Sequence, residues 1–197
     1  MAKLYFRYSS MDAGKTLDLL KVAYNYEDRG RHSLILTSAV DKRAGKNKVK
    51  SRIGIDQDAF SLTNEDNIFD YVKNYQQNKA IDCVLIDEIH FFTQEQIWQL
   101  SDVSDYLGIP VICYGLRTDY LGQPFATASL LLSIADTLEE VKTICHCGKK
   151  ANFNMMVRDG EVIKSGASIV VDDDSLKKVN TKYISVCRKH WKDGVFK

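Results

Sequence analysis

The chain has 197 residues, 45% of them apolar, with 27 Lys and Arg against 26 Asp and Glu for a formal net charge of +1. That length supports one hydrophobic core and a small appended module, and that composition excludes a disordered chain. A charge so near zero gives no electrostatic ground for holding a nucleic acid, and no apolar run reaches membrane-spanning length.

Lys3 to Thr16, KLYFRYSSMDAGKT, is the first informative stretch. The apolar run Leu4-Tyr5-Phe6 predicts a strand. Gly14-Lys15-Thr16 predicts a turn into a helix, with Leu17, Leu19, Leu20, Ala23 and Tyr24 setting an amphipathic face to about Arg29. Strand, loop and helix start in that order describe a phosphate-binding loop. Backbone N–H groups from Ser10 to Thr16 would wrap a polyphosphate, Lys15 would reach the outer phosphates, and the Thr16 hydroxyl would hold Mg²⁺. The first position of the usual pattern is Gly and here is Ser9. A plain Gly-containing turn before a surface helix is the alternative.

Leu34 to Thr37 predicts a second buried strand. Asp41 to Lys50 is basic and without periodicity, and two readings fit it: a solvated loop, or a lid that brings a cation onto a transferring phosphate. Ile68 to Tyr75 has helical spacing. Cys83 to Ile86 is a fully apolar strand with Asp87 and Glu88 at its C-terminal tip, the edge of a parallel sheet where ligands bind. Asp87 there suits the water shell of Mg²⁺ and Glu88 suits proton acceptance, against the simpler role of an acidic helix cap. Gln94 to Leu107 predicts a helix, Val111 to Gly115 another buried strand, Leu116 to Phe125 a turn-rich loop at the same edge, and Ser129 to Ala135 a short helix. Strand and helix alternate as in a mostly parallel α/β sheet.

The composition changes at Leu138, which suggests a nucleotide-binding unit over 1–138 and a small unit over 139–197. Glu139 to Thr143 alternates like an edge strand. Cys145, Cys147, Cys187 and His190 then form C-x-C and C-x-x-H pairs, a donor set for tetrahedral Zn²⁺, with His146 a competing ligand and three unrelated thiols the alternative. A module of about fifty residues has little core of its own, so a metal staple is physically reasonable. Between the pairs, Asn152 to Val171 predicts a β-hairpin with an exposed loop, followed by the acidic Asp172-Asp173-Asp174. Cys83 and Cys113 sit in apolar strands as core residues.

Taken together, SSMDAGKT, Asp41-x-Arg43, Ser51-Arg52-Ile53-Gly54, LIDEIHFF, YGLRTDYLGQPF, TICHCGKKA and KYISVCRKHW resemble the thymidine kinases shared by bacteria, poxviruses and animal cytosol, in their bacterial branch, over nearly the whole chain. The resemblance implies a RecA-like P-loop sheet with helices on both faces and a small zinc-binding β module whose lasso loop closes over thymidine. It implies transfer of the ATP γ-phosphate to the 5′-hydroxyl of thymidine or deoxyuridine, feedback inhibition by thymidine triphosphate, and a homotetramer. By matching position, Ser9, Ser10, Met11, Asp12, Ala13, Gly14, Lys15 and Thr16, with Asp87, Glu88, Ile89 and His90, are the nucleotide segments. Glu88 is the proton acceptor, and Lys15 and Arg43 are the catalytic cations. Met11, Phe91, Leu116, Tyr120, Asn154 and Tyr183, with Val170 and Val171 in the lasso, line the nucleoside site. The chain differs from the family in having His90 for Gln, and Val170-Val171 with Asp172-Asp173-Asp174 where relatives carry a Gly pair. The expected partners are small molecules and copies of the chain, with no nucleic acid and no membrane. The N-terminus lacks a secretory pattern, so a cytoplasmic location with reduced cysteines is expected.

Overall fold

The computed structural model describes residues 1–41, 45, 47–166 and 180–197. Arg43, Val170, Val171 and Asp172 to Asp174 therefore lie outside the described residues. The centre is a six-stranded parallel sheet. Its strands are β1 (Leu4–Ser9), β2 (Ser33–Ser38), β5 (Phe60–Leu62), β6 (Cys83–Ile86), β7 (Val111–Leu116) and β8 (Thr137–Glu140), in the order β5-β2-β6-β7-β1-β8. β2, β6 and β7 are buried at every position, as expected of strands covered on both faces.

Alternate side chains in these strands feed two cores. Leu34, Leu36, Val84, Ile86, Val111 and Cys113 pack under α2 (Ile68–Asn78), α3 (Gln94–Tyr106) and α4 (Ala126–Ile134). Ile35, Leu85, Ile112 and Tyr114 meet Leu19, Leu20 and Ala23 of α1 (Lys15–Glu27) on the other face. Helices on both faces thus follow from the period-two burial. Asn67 caps α2 by accepting from the Asp70 amide, and Thr93 with Gln96 forms a capping box on α3. α1 has no side-chain cap; its N-cap is Gly14 in the left-handed region. The helix that adjoins the phosphate loop thus has no side chain occupying its first amides, which suits an anion there.

Several elements depart from the sequence reading, β5 among them, where no strand is expected. Lys48–Lys50 (β3) is a strand, paired antiparallel with Asp56–Asp58 (β4). Of its three residues only Val49 is buried, so its polar sequence carried no strand signal. α4 starts three residues early, because Thr127 and Ala128 are buried alongside Leu131. The expected edge strand over Glu139 to Thr143 is split. β8 ends at Glu140 and pairs with β1, while Thr143–Ile144 (β9) pairs with Lys150–Ala151 (β10). The change of composition at Leu138 thus falls inside a strand of the main sheet.

The C-terminal module adds a three-stranded antiparallel sheet, with Phe153–Arg158 (β11) between Glu161–Ile163 (β12) and Thr181–Val186 (β13). Asp159 and Gly160, at φ 50° and 88°, make the β11–β12 turn. Met155, Val157 and Val186 form a small core with Cys145 and Cys187, closed by Phe153 and by Trp191 of α5 (Arg188–Asp193). No helix among the described residues is long and apolar enough to cross a membrane.

Candidate active site

The chemistry gathers where β1, β6 and β7 end. The loop between β1 and α1 turns through Asp12 (φ 58°) and Gly14 (φ 82°). Lys15 is buried, and its ammonium donates to Ser9 Oγ at 3.1 Å and to the Ser10 carbonyl at 3.0 Å. The hydroxyl that Ser9 carries in place of Gly is thus one of the groups that hold the lysine. Thr16 Oγ1 donates to Asp87 Oδ2 at 3.0 Å, joining the loop to the tip of β6.

Asp87 is 4% exposed. Burial, and then the neighbouring Glu88 carboxylate, push its acid above the usual carboxylate range, while the Thr16 hydroxyl and the Lys15 ammonium pull the other way. A buried acid beside a hydroxyl and a second acid is a donor set suited to a hard divalent cation, which would ionise it. Glu88 sits at φ 51°, a strained conformation for a residue with a side chain. Its carboxylate lies 3.5 Å from His90 Nδ1. The 3₁₀ turn Ile89–Phe91 behind it packs so closely on β7 that a Cβ at Gly115 would lie 2.6 Å from Ile89 Cγ2. Glycine at 115 therefore sets how near the Glu88 turn approaches the sheet.

The residues expected at the nucleoside site fall into three linked groups. His90 Nδ1 accepts from the Leu116 amide at 3.4 Å and its ring packs 4.3 Å from that of Phe91. Tyr120 and Tyr183 meet edge to face at 6.4 Å. Asn154, 2% exposed, accepts from the Met11 amide at 2.7 Å and donates to the Thr118 carbonyl at 3.0 Å. The Met11 N–H is thus committed to Asn154 and is not free to wrap a phosphate as expected. Among the described residues, nothing accepts from the amides of Asp12, Ala13, Gly14 or Thr16, and these are the amides left to a ligand.

Two positioning residues are not singled out from the sequence, although both lie in the KYISVCRKHW block. Ser185, opposite Asn154 in the β11–β13 register, donates to the Met11 carbonyl. Trp191 Nε1 donates to the Tyr120 carbonyl at 3.0 Å, and its ring lies against Gly122. Only the fold puts these side chains beside loops tens of residues away. The small module thereby grips both the phosphate loop and the Tyr120 loop.

Cys145, Cys147, Cys187 and His190 converge as expected, with all four donor atoms within 4.8 Å of one another. Cys145 Sγ is 3.3 Å from His190 Nδ1 and Cys147 Sγ is 3.9 Å from Cys187 Sγ. Donors about 2.3 Å from a tetrahedral centre stand about 3.7 Å apart, so the cluster has the size and chemistry for Zn²⁺. Burial opposes the Cys145 thiolate, yet backbone amides and His190 outweigh it and bring the thiol below its usual range. His146 stacks on the His190 ring at 4.3 Å and lies outside the four-donor group.

A family model described as thymidine kinase matches residues 2–191. The chain is 79% identical over 196 residues to a thymidine kinase of Francisella tularensis subsp. holarctica, which covers 100% of both chains. It is 50% identical over 194 residues to that of Haemophilus influenzae, with 98% of this chain and 97% of the relative covered. A third relative, the thymidine kinase of Idiomarina loihiensis, is 48% identical over 196 residues, with 99% and 98% covered.

Proposed function

The chain belongs to the thymidine kinase family, and we propose from it that the enzyme transfers the γ-phosphoryl group of ATP to the 5′-hydroxyl of thymidine or deoxyuridine, giving the monophosphate for DNA synthesis. The supporting observation is the meeting of Lys15, the Thr16–Asp87 pair and Glu88 at one sheet edge, with His90 beside Glu88 and bonded to the Leu116 amide.

Phosphoryl transfer needs alignment and charge neutralisation more than covalent help. The triphosphate lies along the loop from Ser9 to Thr16, and Lys15 exchanges Ser9 Oγ and the Ser10 carbonyl for β- and γ-phosphate oxygens. Thr16 and Asp87 would hold Mg²⁺, which would supply positive charge to offset the negative charge of the phosphates. Ile89 and His90 complete the nucleotide segment, and Arg43 adds a cation at the transferring group. Glu88 orients the 5′-hydroxyl. As the O5′–Pγ bond forms and the bond from Pγ to the β–γ bridging oxygen breaks, the hydroxyl proton passes to the Glu88 carboxylate and ADP leaves. Met11, Phe91 and Asn154, with Val170 and Val171, complete the nucleoside site.

Zn²⁺ on Cys145, Cys147, Cys187 and His190 is structural in this reading. The working units are the nucleotide-binding unit read from composition over 1–138, whose sheet runs on to Glu140, and the small unit after it, and the enzyme is a cytoplasmic homotetramer restrained by thymidine triphosphate. These last assignments rest on the family resemblance, and the near-zero net charge agrees with small-molecule partners. The test is incubation with Mg-ATP and each natural nucleoside in turn. Thymidine monophosphate is expected. Rapid ATP hydrolysis that thymidine does not accelerate would assign Glu88 to water activation instead.

A further inference from the structure

The Ser51-Arg52-Ile53-Gly54 segment has no part in the reaction outlined above. In the fold it is the turn of the β3–β4 hairpin, and it is tightly built. Ser51 is 5% exposed, and its amide and hydroxyl both donate to the Ile55 carbonyl, at 2.8 and 3.0 Å. The Ile55 amide returns a bond to Ser51 Oγ at 3.1 Å, and Gly54 closes the turn at φ 91°. The hairpin is anchored on α1: Val49 packs with Leu19, Leu20 and Ala23, and Gln57 Nε2 donates to Glu27 Oε1 at 2.6 Å. A braced turn on the helix that follows the phosphate loop can aim a side chain at that loop. Arg52 is the side chain so aimed, with its Nη1 2.6 Å from Asp12 Oδ1.

Asp12 is the only carboxylate in the Ser9–Thr16 segment. Its amide is one of those left open for a phosphate, and its side chain is one-third exposed. Negative charge at that point repels an incoming triphosphate, and the guanidinium cancels it. The pair is also unequal. Arg52 is 68% exposed, so it gives up little to change partner, and a phosphate offers it a bidentate acceptor of higher charge than a carboxylate does. We propose that Arg52 is a donor-site residue that Asp12 holds at the mouth of the phosphate loop until Mg-ATP arrives, when the guanidinium passes from Asp12 to the triphosphate. This rests on the ATP-binding role proposed above for the loop.

The exchange makes Asp12 and the phosphates competitors for one cation, which separates it from a purely structural ion pair. Calorimetric titration of the intact chain with Mg-ATP, without nucleoside, reads it directly. Arg52→Ala should weaken Mg-ATP about ten-fold or more, the scale of removing one charge-assisted hydrogen bond. Arg52→Lys, which keeps the charge without the fork, should recover part of that. Asp12→Asn should act in the opposite direction and tighten Mg-ATP about two- to five-fold, the scale of a broken exposed ion pair. Thymidine KM at saturating ATP should move little in all three. If Arg52→Ala and Asp12→Asn weaken Mg-ATP alike, the pair is a clasp that shapes the loop and the exchange is wrong. Unchanged affinity in Arg52→Ala overturns it too. A wild-type chain that binds no Mg-ATP overturns the ATP-binding role along with it, whereas a wild type that binds while the variants fail to diverge overturns this inference alone.

Discussion

Replacing Asn154 with Ala should damage the donor and acceptor sides of the site together. The side chain is 2% exposed and makes one bond to the Met11 amide at 2.7 Å and one to the Thr118 carbonyl at 3.0 Å. Alanine leaves a partly buried donor and a partly buried acceptor without partners, so each loss falls toward the lower end of the about 1–3 kcal/mol that burial imposes. Water entering the vacated volume would recover part of this, so a net loss of about 1–3 kcal/mol is expected. For a chain of this size that lowers Tm by roughly 2–12 °C. Met11 belongs to the phosphate loop and Thr118 to the loop that carries Tyr120, so KM should rise for ATP and thymidine alike. Asn154→Asp adds a distinction: it keeps an acceptor for the Met11 amide but sets carboxylate against the Thr118 carbonyl, so thymidine KM should suffer more than ATP KM. Differential scanning calorimetry and two-substrate kinetics measure both effects. An Asn154→Ala enzyme with wild-type Tm and both KM values unchanged would refute the reasoning.

Two further outcomes follow from particular contacts. Stripping the metal from the Cys145, Cys147, Cys187 and His190 cluster should free α5, whose Trp191 holds the Tyr120 carbonyl. Tm and near-ultraviolet tryptophan signals should change and thymidine KM should rise; unchanged kinetics in a verified metal-free sample would contradict this. The second concerns pH. Burial alone would raise the Asp18 acid, but Lys21 and Arg7 overcome that and hold it below its ordinary value. A depressed folded-state value contributes stability above the unfolded-state value, about 3.9, and loses it as pH falls through the folded one. The Tm gap between wild type and Asp18→Asn should therefore be full at pH 6 and shrink below about pH 4; a gap that stays constant down to pH 3 would rule out this linkage.

The sheet and its helices were legible because burial wrote itself into the sequence. Cys83–Ile86 is apolar throughout and its bounds match the strand that forms. α3 announces itself by Ile97, Leu100 and Val103 at helical spacing, all fully buried. The phosphate loop and the acids after β6 could be read because each is a short local motif fixed to the end of a strand. The β3–β4 hairpin could not, since Lys-Val-Lys and Asp-Gln-Asp show no apolar face and only Val49 is inserted into the core. Met11 shows a second limit. Its amide reads as part of a phosphate cradle, but a side chain 143 positions away takes it. Pairings of that separation come from the packing of the small module on the sheet edge, which local pattern does not encode.

Glu88→Gln tests the central claim most directly, because it keeps the shape of the residue while removing its negative charge and with it the capacity to take a proton. Loss of a positioned general base lowers turnover by about 10²–10⁴-fold. The account predicts a fall in kcat for thymidine monophosphate formation of that size, with Mg-ATP affinity within about three-fold of wild type, the range of one weak interaction. A Glu88→Gln enzyme that turns over thymidine at near wild-type rate would contradict it.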